Sequence, residues 1–119
     1  MKKILLVDDN KEFIDLLSYA LKKKNINVIS SYSVDEAIEK ISKIKFDLIC
    51  SDYEMESKNG LDLLRYLRRL ENDVKFIMLT GTDSNDLICK VEAMNGIFMD
   101  KAIPNLVSEI VMEVKESNQ

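Results

Sequence analysis

The sequence predicts an α/β fold, a doubly wound sheet of five parallel strands with helices on both faces. Five short apolar runs alternate with five amphipathic helical patterns along the 119 residues, and the segments between them are short. Strands that alternate with helices in this way form a parallel sheet, because each helix carries the chain back to the start of the next strand. We see no internal repeat, linker or low-complexity tract.

The first half of the chain contains three predicted strands and two predicted helices. The strands are predicted at residues 4–7, 27–31 and 47–51, and the first and third have the length and bulk of buried parallel strands. Asn10 caps the first helix, whose apolar positions recur with a period of 3.6 residues. Ser33 caps the second, at residues 34–44, with Glu36 completing a capping box.

The second half repeats this alternation. Its predicted elements are a helix at 61–70, a strand at 74–79 that ends at Thr80, a helix at 84–94, a strand at 97–99 and a final helix. Pro104 is predicted to open that helix, because proline is tolerated at the first helical position. The whole order of elements favours the flavodoxin-like strand order 2-1-3-4-5, which reverses between the first and third strands.

Composition indicates a globular protein and excludes several functions. Apolar residues make up 46% of the chain and charged residues 32%, with a net charge of −4, which argues against a nucleic-acid or membrane surface. We find no signal peptide and no stretch long enough to span a membrane, so we expect one cytoplasmic domain over residues 1–119. Cys50 and Cys89 are too few for a disulfide framework or a zinc site.

Three carboxylates mark the predicted site. Asp8 and Asp9 follow the first strand, and Asp52 follows the third. The carboxyl ends of these strands meet where the strand order reverses, so the three acids should lie together. Such a cluster repels itself unless a cation neutralises it, and oxygen ligands favour a hard ion such as Mg²⁺.

Four motifs give the chain its resemblance to a known family. They occur in order, each on the expected element: residues 5–10 with the acidic pair, 52–64 with Asp52 and Gly60, 78–81 with Thr80, and 98–101 with Lys101. Together they resemble the receiver domain of two-component response regulators, over the whole chain. The resemblance implies a phosphorylation-controlled signalling switch that forms a 4-aspartylphosphate.

The resemblance also implies roles at the acidic end of the sheet. Asp52 would be the phosphoacceptor. Asp8 and Asp9 would hold Mg²⁺ together with Asp52 and the backbone carbonyl of Glu54. Since phosphoryl transfer needs placement and charge neutralisation more than covalent help, these roles agree with the chemistry of the residues.

The other site residues follow the fourth and fifth strands. By the resemblance, Thr80 and Lys101 contact the phosphoryl group, and Thr80 and Phe98 act as the switch. The amide of Gly81 could also approach that group closely, because glycine has no side chain. Phosphorylation would then change the face formed by the fourth helix, the fifth strand and the last helix.

Partners follow from the same reasoning. The chain contains no histidine, so the phosphoryl donor must be a small phosphodonor or another protein, such as a sensor histidine kinase or a histidine phosphotransfer protein. The expected target is a downstream protein or an output domain, and phosphorylation-dependent dimerisation is allowed. We expect self-phosphorylation and self-dephosphorylation only, not turnover of an external substrate.

Two other functions stay open at this point. Asp52-Tyr53-Glu54 loosely resembles the acid pair of Mg²⁺-dependent phosphatases that pass through an aspartyl-phosphate, although no cap segment is present. A flavodoxin is less favoured, because an acidic first loop would repel the phosphate of its cofactor.

Three features depart from the common pattern or invite a simpler interpretation. Ala102 stands where the family usually has proline after the lysine, so a trans bond is expected there. The Glu54 carboxylate is expected to reach the metal or Lys101. Arg65, Arg68 and Arg69 form a basic stretch on the third helix, which is interpreted as a solvated face, with a partner contact as the alternative.

Overall fold

The protein forms one five-stranded parallel sheet in the order β2-β1-β3-β4-β5, which confirms the predicted fold. The computed structural model describes residues 1–82 and 84–116. The strands are β1 (Lys3–Val7), β2 (Asn27–Ser31), β3 (Leu48–Ser51), β4 (Lys75–Thr80) and β5 (Ile97–Asp100). The helices are α1 (Lys11–Lys22), α2 (Val34–Ile41), α3 (Gly60–Arg69), α4 (Asn85–Ala93) and α5 (Leu106–Lys115).

The register of the strands brings the predicted acids to one edge. Val7 of β1 pairs with Ser51 of β3, so the residue after each strand lies beside the other. The amide of Asp52 donates to the Val7 carbonyl at 2.9 Å, which extends the ladder by one rung. At the same ends of β4 and β5, the amide of Lys101 donates to the Thr80 carbonyl at 3.2 Å.

Each face of the sheet is covered by helices. One hydrophobic cluster joins α1 and α5 to side chains such as Ile4 and Leu6, and the other joins α2, α3 and α4 to Leu5 and Val7. Successive residues of a strand point to opposite faces, so a strand covered on both sides is apolar throughout. This is why the central strands β1, β3 and β4 are largely apolar, whereas the edge strand β2 contains Asn27 and two serines.

Two helix boundaries differ from the prediction by more than one residue. Helix α2 ends at Ile41 rather than at residue 44, because the amides of Lys43 and Ile44 both turn back to the Lys40 carbonyl. Pro104 does not open α5: it lies in a turn, and the helix begins at Leu106. Among the described residues, no helix has the length and apolar character needed to cross a membrane.

Arg68 corrects the interpretation of the basic stretch on α3. Its guanidinium donates to the carbonyls of Met94 at 2.8 Å, Asn72 at 2.9 Å, Val74 at 3.0 Å and Asn95 at 3.3 Å. The carbonyls of Met94 and Asn95 lie at the end of α4, where a helix leaves acceptors without intrahelical partners, and those of Asn72 and Val74 lie in the segment between α3 and β4. Burial lowers the pKa of Arg68, so this side chain is a structural contact and not part of a solvated face.

The cysteines agree with the expectation of no disulfide framework. Cys50 is buried in β3 and Cys89 is exposed on α4, and both are free thiols. Burial raises the pKa of the Cys50 thiol well above its usual range, so this residue behaves as an apolar core side chain.

Candidate functional site at the acidic edge of the sheet

Asp8, Asp9 and Asp52 lie together at the carboxyl ends of β1 and β3. One carboxylate oxygen from each residue lies within 4.8 Å of the others, so the three could hold a metal ion. Asp8 is 3% exposed and Asp52 8%, whereas Asp9 is open to solvent. Two acids taken out of water beside a third are costly without a nearby cation.

Lys101 provides one nearby cation. Its Nζ lies 2.7 Å from Asp8 Oδ2 and 3.5 Å from Asp52 Oδ2. The Lys101 ammonium is the partner described for buried Asp8 Oδ2, which no other described donor reaches with hydrogen-bond geometry. The other oxygen of Asp8 accepts from the Asn10 amide at 3.0 Å. Asp8 Oδ2 thus faces a cation already, and its remaining lone pair could also bind a metal ion.

The charge state of Asp52 reflects both its neighbours and its burial. Burial raises the pKa of Asp52, and the negative charge of Asp8 raises it further. Lys101, the Tyr53 amide and the Thr80 side chain act in the opposite direction, because each favours the ionised form. The net shift is upward, so a cation bound among the acids would stabilise the ionised carboxylate.

Thr80 lies beside Asp52, at the end of β4. The side chain is buried, accepts from the Thr82 amide at 3.2 Å and favours the ionised form of the Asp52 carboxylate. Gly81, the next residue, is exposed, and a Cβ there would meet nothing within 4 Å. Space alone therefore does not require glycine at position 81 in this state.

The Glu54 carboxylate binds a different partner from the one expected. Its Oε1 accepts from the Thr82 hydroxyl at 2.8 Å, so the described contact is neither with Lys101 nor among the clustered acids. This hydrogen bond joins the loop after β3 to the loop after β4. Sequence reasoning did not single out Thr82, because a hydroxyl residue two positions after a strand is common in any loop.

Gly60 lies against the loop that follows β3. A Cβ at this position would stand 2.2 Å from the Asp52 carbonyl oxygen and 2.7 Å from Met78 Sδ. The amide of Gly60 also donates to the Tyr53 carbonyl at 2.9 Å. Only glycine permits this approach, which seats the first turn of α3 directly on Asp52.

Phe98 lies on β5, opposite Met78 of β4, and its partly buried ring packs against the cluster under α3 and α4. Met78 belongs to the same cluster. Thr80 is two residues further along β4 and therefore faces the same side of the sheet. Thr80 and Phe98 therefore lie on neighbouring strands and on the same face of the sheet.

Lys101 has a further contact, with Phe13 of α1. Its Nζ lies 4.5 Å from the centre of the Phe13 ring. The sequence marked Phe13 only as an apolar helix position. Its place four residues after Asp9, in the first turn of the helix that follows the acidic pair, was the available signal. The described residues contain no cis peptide bond, so the bond after Lys101 is trans as expected.

Comparison with known proteins identifies the family. Residues 4–106 match the model of the response regulator receiver domain. The chain is 38% identical over 82 residues to the regulatory protein VanR of Enterococcus faecium, a match that covers 69% of this chain and 35% of VanR. The chain thus spans about a third of the length of that curated relative.

Solved structures show the same fold. A two-component response regulator from Clostridium difficile superposes with a TM-score of 0.90 at 23% identity, covering 100% of both chains. The response regulator TrrA of Thermotoga maritima, solved in complex with Mg²⁺ and BeF, superposes with a TM-score of 0.84 at 26% identity. That match covers 96% of this chain and 99% of TrrA.

These findings do not favour a phosphatase or a flavodoxin. The family match covers all four motifs up to Lys101, and the structural likeness extends through the whole sheet. The chain belongs to the response regulator receiver domains of two-component signalling systems.

Proposed function

We propose that Asp52 accepts a phosphoryl group in this chain. The observation that carries the proposal is the placement of Asp52 beside two further carboxylates and the ammonium of Lys101. A carboxylate oxygen of Asp52 attacks phosphorus and forms the acyl phosphate. With a phosphohistidine donor the P–N bond breaks, and its electron pair stays on the imidazole of the donor. Hydrolysis by water later returns Asp52 to a carboxylate.

Asp8, Asp9 and Asp52 fit a magnesium ion. Three carboxylate oxygens lie within 4.8 Å of one another, and buried Asp8 Oδ2 accepts no hydrogen bond from the described residues. Hard oxygen ligands of this kind suit Mg²⁺, and the backbone carbonyl of Glu54 would complete the protein's share of the ligands. When bound, Mg²⁺ would neutralise the acids and the incoming phosphoryl oxygens. The complex of TrrA with Mg²⁺ and BeF supports this assignment.

Lys101 and Thr80 supply the remaining contacts with the phosphoryl group. The Lys101 ammonium balances one oxygen as a point charge, and the Thr80 hydroxyl donates to another. The amide of Gly81, the residue after Thr80, would be a further donor to that group. In this proposal Thr80 leaves Asp52 for the phosphoryl oxygen, Phe98 turns toward the space it vacates, and the surface of α4, β5 and α5 changes.

The partners form part of the same proposal. Because the chain has no histidine, a sensor histidine kinase or a histidine phosphotransfer protein would supply the phosphoryl group. A downstream protein or an output domain would bind the changed surface, and phosphorylation would allow a dimer to form. Residues 1–119 would act as one cytoplasmic receiver domain that holds a single phosphoryl group and does not turn over an external substrate.

Chemical labelling tests the acceptor. With acetyl phosphate and Mg²⁺, intact mass should show one added phosphoryl group that hydroxylamine removes. Asp52→Asn keeps the shape of the side chain without a nucleophilic charge and should not be labelled. Asp15→Asn, on the exposed side of α1, is the matched control and should be labelled fully. Labelling of Asp52→Asn, or equal labelling in excess chelator, would contradict the proposal.

Amide chemical shifts test the switch. Beryllofluoride with Mg²⁺ should shift resonances over α4, β5 and α5 in the wild type. Thr80→Ala should still accept phosphate at Asp52 but show much smaller shifts there, because the donor hydroxyl is missing. Shifts confined to α1 and α2 would refute this direction of change.

A further inference from the structure

We propose that Phe13 is a positioning residue for the phosphoryl transfer, holding the Lys101 ammonium between Asp8 and Asp52. This inference rests on the proposed function of Asp52. The observation behind it is that the Phe13 ring, on α1, contacts the ammonium of Lys101, which follows β5.

The ammonium of Lys101 is held from three directions. Asp8 Oδ2 lies 2.7 Å away, Asp52 Oδ2 3.5 Å away, and the centre of the Phe13 ring 4.5 Å away. An ammonium within about 6 Å of a ring centre is attracted by the negative face of the ring. The Lys101 side chain is still 23% exposed, so water reaches it from the remaining side. The ring therefore closes one of the directions in which this long side chain could move away.

The loop that follows β1 holds the backbone of Phe13 in place. Asp8 Oδ1 accepts from the Asn10 amide at 3.0 Å, and Asn10 Oδ1 accepts from the Phe13 amide at 3.1 Å. Two successive hydrogen bonds thus connect the carboxylate that faces Lys101 to the residue that carries the ring. The ring also packs against the hydrophobic cluster under α1 and α5. Asp8 and Phe13 therefore form one preorganised binding position for the Lys101 ammonium, which we call the seat.

This seat has a consequence for the reaction. A lysine has several flexible bonds, and ordering it during phosphoryl transfer would add an entropic cost to the barrier. When Asp8 and Phe13 order Lys101 beforehand, that cost does not fall on the transition state. A smaller apolar residue at position 13 would keep the packing of α1 but would release the ammonium.

The first test measures phosphorylation rates with acetyl phosphate and Mg²⁺, so that no protein partner contributes. Phe13→Leu should lower the maximal rate about threefold to tenfold, the range expected for loss of a partly exposed cation–π contact. Phe13→Tyr keeps an aromatic face and should stay close to wild type. Tyr19→Leu, which removes another ammonium–ring contact on α1, is the matched control and should leave the rate unchanged.

A double-mutant cycle separates positioning from folding. In a Lys101→Gln background, Phe13→Leu should have almost no further effect on the rate, because no ammonium remains to be held. An equal loss with and without Lys101 would overturn the proposal, and so would an unchanged rate in Phe13→Leu. If Phe13→Leu does not fold, Phe13→Met fills more of the same volume without a ring and replaces it.

A measurement without phosphorylation tests the contact itself. The ε-methylene protons of Lys101 should be shifted upfield by the ring current in unphosphorylated wild type and should return to ordinary values in Phe13→Leu. Unshifted protons in the wild type would refute the seat. A wild type that cannot be phosphorylated but shows the shift would contradict the proposed function and leave the Phe13 contact standing.

Discussion

The amino-terminal and carboxyl-terminal edges of the sheet both contain partly buried charged side chains. Only at the amino-terminal edge does the charged group have a full set of hydrogen-bond partners among the described residues. At the amino-terminal edge, Arg68 donates to four backbone carbonyls from the ends of α3 and α4 and the following loops. At the carboxyl-terminal edge, buried Asp8 Oδ2 accepts no hydrogen bond from the described residues, and Asp52 lies beside a like charge.

This difference separates a structural charge from a functional one. Buried polar groups normally find partners, so a complete set such as that of Arg68 indicates a contribution to stability. An incomplete set beside a like charge, as at Asp8 and Asp52, is expected where binding chemistry requires it. The two edges should therefore respond to mutation with opposite signs.

The largest expected effect is at Arg68, on the amino-terminal edge of the sheet. Arg68→Met keeps the apolar stem but leaves several carbonyls without their donor, and should lower the free energy of unfolding by about 2–3 kcal/mol. Urea denaturation measures this. Arg69→Met, on the exposed part of the same helix, should stay within about 0.5 kcal/mol of wild type. Equal effects of the two substitutions would remove the distinction between the edges.

A smaller effect of opposite sign is expected at the acidic edge. In chelator at neutral pH, Asp52→Asn should raise the free energy of unfolding by about 1 kcal/mol, because it removes a buried charge beside Asp8. The pKa of Asp52 is raised in the folded state, so the contribution of this side chain to stability is fully present below its unfolded-state pKa and is lost as pH rises through the raised pKa.

The pH dependence provides the check on this prediction. The advantage of Asp52→Asn should vanish below the unfolded-state pKa of an aspartate, where both side chains are neutral, and grow toward neutral pH. Asp15→Asn, which changes an exposed acid, should show no comparable pH dependence. A destabilised Asp52→Asn protein at neutral pH would mean that the Lys101 contact outweighs the cost of burial.

The smallest expected effect concerns the contact between Glu54 and Thr82. Glu54→Gln should change stability by less than about 0.5 kcal/mol, because the hydrogen bond is exposed. It should nevertheless speed amide exchange in the loop after β4, which loses its anchor to the loop after β3. Glu56→Gln is the matched control, since that carboxylate is also exposed. If both variants exchange alike, the bond does not restrain the loop.

The sequence was sufficient for the strand order and for bringing the acids together. Hydrophobic periodicity fixes which segments are strands, and a parallel sheet places their carboxyl ends at one edge, so Asp8 and Asp52 had to approach each other. Arg68, Phe13 and Thr82 were different. Their contacts join side chains to groups far away in the sequence, such as Thr82 to Glu54 and Phe13 to Lys101, and periodicity carries no information about such pairs.

Helix ends were the other weakness. The end of α2 and the start of α5 depend on which carbonyl each turn amide selects, as the amides of Lys43 and Ile44 show. A proline marks a tolerated position for a helix start but does not choose it, and at Pro104 the chain makes a turn before the helix begins.

Gly60 has a mechanical consequence. Its Cα hydrogen occupies the place where any side chain would collide with the Asp52 carbonyl, so the backbone of the acceptor rests on α3 with no room to recoil. Gly81 is the opposite case, since a methyl group would fit there without meeting another atom. We expect a displacement of the Asp52 backbone to be blocked on the side of α3, where Gly60 leaves no space. The direction of signalling would thus be set by the available space as much as by charge.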